Sequence, residues 1–504
     1  MDLVRHPLPE LKTIPDILRL QAMDQPEAVA LIDQDTTFTY KELAEYAWSL
    51  AARLAAYHPR TVALLIPSSA NYVVAYFAGL SIGATLVPLD SGLTPAEINW
   101  TLKFCKVELL LYTEQHAELV EKLKAESGSV VMLELKPPTD ISEETLPHPA
   151  VLALWSTDPE DVALLLHTSG SLAKPKRVML KHGGLISNAS AHALHMELTN
   201  ADKVLILLPM HFGYCNTAQI LTHLLLGGVL VILRGTFVPH RCLRLVQEHG
   251  ITTFTAVPTM LLQLQAFEHR KKYDTSSLRQ VSFGGAPFPL ERLQQLMAEY
   301  PAVAFCQTYG QTEAGPRVTG VKPADASRWP GSVGTPIPNV IVQLLKDDGQ
   351  SVKPGEEGEF VVKSPGMMKG YFGAPDETAI TLRDSWLYTG DLGCQGIGGE
   401  YYIVGRLKNF IIRGGINIYP EEIEAVLLQH PAVGAVLVHS VSHLELGEIP
   451  HACVVLSSGV KVTAKELRDF AAGRLAAYKL PEVELVEELP RTYNGKILRQ
   501  SYRR

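Results

Sequence analysis

Uninterrupted runs of Val, Ile and Leu constrain this chain more than any other feature. They occur at Thr61–Pro67 (TVALLIP), Lys106–Thr113 (KVELLLYT), Val162–Thr168 (VALLLHT) and Lys203–Pro209 (KVLILLP), with helix-like stretches between them. A strand with one wet face alternates apolar and polar residues, and these runs do not alternate, so each needs cover on both faces. Helical stretches such as the amphipathic segment near Ala96–Phe104 can supply that cover. The pattern predicts an α/β fold built on largely parallel strands.

The chain has 504 residues, too many for one compact core. Two stretches, Tyr72–Leu89 and Val204–Leu233, lack charged residues. Both carry glycines and prolines, and the second also carries amides, which a membrane-spanning helix seldom tolerates. Each is read as a buried helix followed by a buried strand, the second strand being GGVLVIL at Gly227–Leu233. The polar, proline-bearing stretch Lys136–Pro149 is read as a surface connector. After about Gly331, glycines and prolines recur between short strand-like segments, which predicts an antiparallel β-rich subdomain. Beyond Gly405 a smaller helix–strand alternation follows, with a boundary near Arg406–Lys408. The expected organisation is a large unit, 1–405, of mixed, largely parallel sheets plus the β-rich subdomain. A small α+β unit, 406–504, follows it.

A formal net charge of −8 leaves no basic surface for a nucleic acid. The six cysteines stand singly, with no CxxC pair. This spacing predicts neither a zinc site nor a disulfide framework, and a reducing cytoplasm is expected. The first residues, MDLVRHPLPELK, mix charge and proline where a signal peptide needs an apolar core.

The richest segment for chemistry is LLLHTSGSLAKPKRVMLKH, Leu164–His182. An apolar strand runs into Thr168, Ser169, Gly170 and Ser171, and then meets Lys174 and Lys176. Glycine permits a tight path there, hydroxyls and backbone N–H groups can surround anionic oxygens, and the lysines add positive charge. The GxxxxGK[ST] order of a Walker A loop is absent. Taken alone, the segment is equally a Ser/Gly-rich turn with solvated lysines.

Six further segments follow in order: LPMHFG at Leu208–Gly213, the pair FTAVPT and SFGGAP at Phe254–Thr259 and Ser282–Pro287, and QTYGQTEAG at Gln307–Gly315. WLYTGDLG at Trp386–Gly393, GRLKNFIIRGGINIYPEEIE at Gly405–Glu424 and PRTYNGKILR at Pro490–Arg499 complete the series. Together with the Ser/Gly-rich loop, this series resembles the adenylate-forming superfamily of acyl-CoA synthetases, peptide-synthetase adenylation domains and firefly luciferase. Its motifs are most similar to those of acyl- or aryl-CoA ligases.

The resemblance implies ATP-dependent conversion of a carboxylic acid to acyl-AMP, with loss of pyrophosphate, and then transfer of the acyl group to a thiol. It implies ATP, Mg2+ and CoA as small-molecule partners, or the phosphopantetheine of a separate acyl or peptidyl carrier protein in place of CoA. It also implies that the C-terminal unit is a mobile lid. ATP and AMP would be held by Thr168, Ser169, Gly170, Ser171, Lys174, Lys176, Gly285, Ala286, Gln307, Tyr309, Gly310, Thr312, Asp391, Ile403 and Arg406. Within that set, Thr312 would bond the α-phosphate, Tyr309 would stack on adenine, and Asp391 with Arg406 would hold the ribose. Glu313 would carry the metal. Lys496 would bridge the carboxylate and the α-phosphate, with Thr312, Glu313 and His211 beside the reaction. His211, Phe212, Gly213, Gly284 and Gly285 would border the acyl group, the last two glycines leaving room for a chain or ring. Lys408 would be the hinge and Gly414 and Gly415 the thiol passage.

The Ser/Gly-rich loop departs from the family pattern at Leu172, Ala173 and Arg177. Amino-acid-activating relatives carry an aspartate where Gly213 stands, so a fatty or aryl acid is expected. A carrier-loading enzyme and a catalytically impaired nucleotide-binding homologue are the alternatives. No integral membrane association is expected, and the chain would act as a monomer or homodimer.

Overall fold

The computed structural model describes residues 11–124, 127–137, 158–167, 176–407, 411–413, 416–443, 446–457 and 459–489. Four sheets organise them. A seven-stranded sheet contains the parallel strands Val162–His167, Thr85–Pro88, Thr61–Leu65, Leu109–Thr113 and Val131–Leu135 in that spatial order. Arg177–Lys181 and Gly370–Tyr371 extend its first edge antiparallel. A nine-stranded sheet has a parallel centre: Ala304–Tyr309, Gln280–Gly284, Thr253–Ala256, Lys203–Ile206, Val229–Ile232 and Val29–Asp33. The expected parallel strands are all present, somewhat shorter than the apolar runs that announced them.

The two charge-free stretches fold as expected. Tyr72–Leu89 gives most of the helix Ala70–Ser81 and then the strand Thr85–Pro88. In that helix every residue except Asn71 is buried, as expected of a helix that is apolar all round. Val204–Leu233 runs from the strand Lys203–Ile206 through helical segments at Gly213–Leu226, π-helical at Asn216–Leu221, to the strand Val229–Ile232. Among the described residues no helix is long and apolar enough to cross a membrane.

One apolar core joins three of the sheets. It contains Leu64, Leu86, Leu111 and Leu164 from the seven-stranded sheet and Leu31, Ile206 and Leu230 from the nine-stranded one. Val342, Phe360 and Val362 enter it from a third, five-stranded sheet. That sheet is the antiparallel β-rich subdomain, with Ile341–Leu345, Gly358–Lys363, Trp386–Gln395, Leu382–Arg383 and Tyr401–Arg406. A fourth sheet pairs Ile411–Arg413, Ile416–Ile418, Val433–His443, Gly447–Leu456 and Glu482–Leu485. It packs its own core against the helices Pro420–Leu427 and Ala464–Ala472. Most of the connector Lys136–Pro149 lies outside the described residues.

Candidate active site

The motif residues gather where parallel strands end, the place at which open α/β sheets present ligands. Gln280–Gly284 runs into the exposed Gly285 and Ala286, and its neighbour Ala304–Tyr309 runs into Gly310 and a short 3-10 turn, Thr312–Ala314. Opposite them, Val162–His167 leads into the Ser/Gly-rich loop. Thr168, Ser169, Gly170, Ser171 and Lys174 of that loop lie outside the described residues, as do Lys408, Gly414, Gly415 and Lys496.

Three glycines show how closely these ends approach. A Cβ on Gly213 would come within 3.0 Å of Pro316 Cγ and 3.1 Å of Leu166 Cδ1. On Gly310 it would meet the Pro316 carbonyl oxygen at 2.0 Å. On Gly284 it would meet the Thr308 carbonyl oxygen at 2.3 Å. The side-chain direction of Gly284 is therefore filled by the neighbouring strand. Gly285 differs, since nothing lies within 4 Å of its Cβ position and its φ is +84°.

Asp391 is the best-anchored acidic group of the site. It is 3% exposed and sits on Trp386–Gln395, directly across from Arg406 on Tyr401–Arg406. Its Oδ1 accepts from Arg406 Nε at 2.6 Å and its Oδ2 accepts from the Tyr309 hydroxyl at 2.7 Å. The Asp391 charge raises the Arg406 pKa above its ordinary value. Burial, and then Asp391, pushes the Tyr309 hydroxyl well up, so it stays protonated as the donor. The Tyr309 ring packs on Phe360 and is only 9% exposed, leaving a narrow face for a base. Ile403 is exposed on the same strand as Arg406.

A second chain of contacts joins the loop motif to the acidic motif. Lys176 Nζ lies 4.7 Å from the centre of the Tyr371 ring, and the Tyr371 hydroxyl donates to Glu313 Oε1 at 2.9 Å. Glu313 Oε2 has no hydrogen bond among the described residues. An oxygen so placed, on a half-buried carboxylate, fits a hard divalent cation. Gln307 Oε1 and Gln311 Nε2 are buried without partners among the described residues, an acceptor and a donor left over for a ligand. Thr312 opens the 3-10 turn and is half-buried.

On the acyl side, the His211 ring lies against Phe212, with centroids 4.1 Å apart. His211 Nε2 is buried, lacks a hydrogen-bond partner among the described residues, and stands 3.7 Å from Asp90 Oδ2. Arg177 does not reach the phosphate region. It is 2% exposed, and its Nη2 donates to Thr101 Oγ1 at 2.8 Å on the helix Pro95–Phe104.

Sequence reasoning missed Tyr371, Asp90, Tyr214, Thr308 and Arg317. Arg317 is buried over the Tyr214 ring, 3.9 Å from its centroid, and donates from Nη1 to Thr308 Oγ1 at 2.7 Å. The signal lay two residues past TEAG, where a charged residue interrupts an apolar stretch in GPRVTG. Tyr371 lies in KGY, within the glycine- and proline-rich stretch that follows Gly331.

Comparison with known proteins agrees with this geometry. The family model described as AMP-binding enzyme matches residues 18–372, and the AMP-binding enzyme C-terminal domain matches 422–496. A feruloyl-CoA synthase from Amycolatopsis sp. is 36% identical over 96% of this chain and 97% of its own length. A long-chain-fatty-acid–CoA ligase of Bacillus subtilis (strain 168) is 32% identical over 98% of this chain and 94% of its own. The structure of the Bacillus subtilis o-succinylbenzoate CoA synthetase with its acyl-adenylate intermediate superposes with a TM-score of 0.86. The two are 31% identical, covering 97% of this chain and 98% of that one. Matches of that extent leave one assignment: this chain belongs to the AMP-binding enzyme family.

Proposed function

We propose that this chain converts an aryl or fatty carboxylic acid to its acyl-adenylate and then transfers the acyl group to the thiol of CoA. In the first step a substrate carboxylate oxygen attacks the α-phosphorus of ATP, and pyrophosphate leaves with the electrons of the broken P–O bond. In the second the CoA sulfur, having lost its proton, attacks the acyl carbon and AMP leaves. Both substrates of the first step are anions, so the main work is positioning and charge neutralisation.

The observation that carries this reading is Asp391 clamped between Arg406 and Tyr309, level with the strand ends that bear Gly285 and Thr312. A fixed carboxylate of this kind suits the vicinal diol of a ribose. Lys176, the Tyr371 hydroxyl and Glu313 then line the phosphate side. Mg2+, bound on Glu313, would neutralise charge on the phosphate oxygens. A relative solved with ATP and magnesium ion, the same Bacillus subtilis synthetase, supports Mg2+ as the companion ion. Lys496 is proposed as the cation between carboxylate and α-phosphate, on the strength of its motif.

Gly213 supports an acid without an α-amino group, since it offers no carboxylate to pair with a substrate ammonium. Relatives named for ferulate, o-succinylbenzoate, indoleacetate and 4-coumarate favour an aryl acid over a fatty one.

The test is acid-dependent exchange of pyrophosphate into ATP across aryl, fatty and amino acids, followed by addition of CoA. Exchange with aryl acids and a CoA thioester product are expected. No exchange with any acid would overturn the reading. Exchange followed by transfer only to a phosphopantetheinyl carrier protein would replace CoA as the acceptor.

A further inference from the structure

The fourth sheet holds a cluster that the adenylation chemistry does not use. His451 and Cys453 lie two residues apart on Gly447–Leu456, so they share one face. His439 on Val433–His443 stands directly opposite His451, and Glu484 on Glu482–Leu485 stands opposite Cys453. Four donors from three adjacent strands thus point the same way. The same face continues as apolar beyond Cys453, through Ala435, Leu437 and Leu489. The spacing of cysteines along the chain gave no hint of this, because register across strands, and not a CxxC pair, assembles it.

We infer that His439, His451 and Cys453 form a binding site for a zinc-class divalent cation, with Glu484 as a supporting carboxylate. The distances make the case. His451 Nδ1 and His439 Nε2 are 3.3 Å apart, and Cys453 Sγ lies 3.8 Å from each. In a tetrahedral zinc site, metal–nitrogen bonds of about 2.0–2.1 Å and a metal–sulfur bond of about 2.3 Å set edges of about 3.3–3.4 Å and about 3.5–3.6 Å. The three donors therefore occupy one face of a tetrahedron to within a few tenths of an ångström. Glu484 Oε2, 4.0 Å from Sγ and 3.7 Å from His451 Nε2, stands outside this face, so the fourth corner is left to solvent.

The outer contacts hold the donors in a ligating form. His439 Nδ1 lies 3.1 Å from the Ser440 carbonyl oxygen, which can only accept, so Nδ1 carries the proton and Nε2 presents a lone pair. His451 Nε2 faces the Glu484 carboxylate at 3.7 Å, an outer acceptor for that edge of the ring when Nδ1 turns to a metal. Without metal the 3.3 Å contact between His451 Nδ1 and His439 Nε2 is a hydrogen bond. A cation between the rings takes a lone pair from each, the proton of that bond moving to His451 Nε2 and the Cys453 proton going to solvent. Sulfur and imidazole donors select zinc, cobalt or copper over the Mg2+ that the nucleotide site would use.

The experiment uses the full-length, tag-free protein stripped by a chelator and titrated with Co2+. The expected result is a thiolate-to-cobalt charge-transfer band with tetrahedral d–d bands, saturating at one ion per chain, bleached by one equivalent of Zn2+ and untouched by excess Mg2+. Cys453→Ser should abolish the charge-transfer band, while Cys394→Ser should leave it. Glu484→Gln should weaken binding about 10- to 100-fold and keep the band, as loss of a supporting carboxylate does. Absence of a charge-transfer band in the wild type overturns the inference whether or not any variant folds. So does a band that survives Cys453→Ser. Acid-dependent pyrophosphate exchange, measured on the same samples, reports separately on the adenylation site.

Discussion

Thr308 shows how much of this site rests on a side chain that no motif singles out. Its hydroxyl donates to the Phe283 carbonyl at 3.1 Å, accepts from Arg317 Nη1 at 2.7 Å and meets the Tyr214 hydroxyl at 3.1 Å. Thr308→Val keeps the shape and removes all three bonds, stranding a buried guanidinium and a phenol. Leaving such groups unpaired costs about 1–3 kcal/mol apiece, and more for the charged one. A fall of about 2–4 kcal/mol in unfolding free energy, read from urea midpoints, is expected for Thr308→Val, with Thr308→Ser losing less than half of that. A larger loss in Thr308→Ser than in Thr308→Val would mean that the methyl group, and not the hydroxyl, matters. The same residue explains why position 284 is a glycine. A glycine at 284 announces that a side chain is missing, but the sequence does not say whose atoms take its place. Here they are those of Thr308, whose carbonyl would stand 2.3 Å from an added Cβ.

The helix His182–His195 carries its consequences as an element. It buries three histidines, His182, His192 and His195, and packs near the buried His223. Burial lowers the pKa of His182 and of His223 to about 4, and lowers those of His192 and His195 as well. His182 Nδ1 accepts the Ile14 N–H at 3.2 Å, a bond only the neutral ring can make. The folded protein therefore binds protons more weakly than the unfolded chain, where histidine titrates near pH 6.5. Their stabilisation is complete above about pH 6.5 and is lost as pH falls toward about 4, at about 1.4 kcal/mol for each tenfold difference in proton affinity. His182→Asn, whose amide oxygen can accept the same N–H, should show a shallower fall in stability across that window. An unchanged slope would remove His182 from the account. At this scale the sequence was most legible. Apolar runs fix parallel strands because only two-sided burial tolerates them. Less legible was the shared face of His439, His451 and Cys453, since strand register is a tertiary outcome.

At the scale of the whole molecule the decisive feature is the change of sheet near Arg406. The strand Tyr401–Arg406 stays in register with Asp391, and Leu407 N–H still bonds the Gly390 carbonyl at 2.8 Å. By Ile411 the chain belongs to a different sheet with its own core. Among the described residues few contacts tie the two parts. Tyr419 packs over Gly405, where an added Cβ would meet the ring at 2.5 Å, and its hydroxyl reaches Glu357 at 3.5 Å. A rotation that trades a small interface for another arrangement is inexpensive in such a design, and we propose that Lys408 absorbs it. Proline at 408 fixes φ near −65° and should hold the small unit in one orientation. Lys408→Pro is then expected to retain acid-dependent pyrophosphate release while thioester formation falls about tenfold or more. Lys496→Ala should fail in the opposite sense, losing pyrophosphate release but still passing the acyl group from supplied acyl-adenylate to CoA. Single-turnover assays of each half-reaction on both variants decide the matter. If Lys408→Pro slows both halves equally, the two orientations are not distinct, and one fixed arrangement of the two units serves the whole reaction.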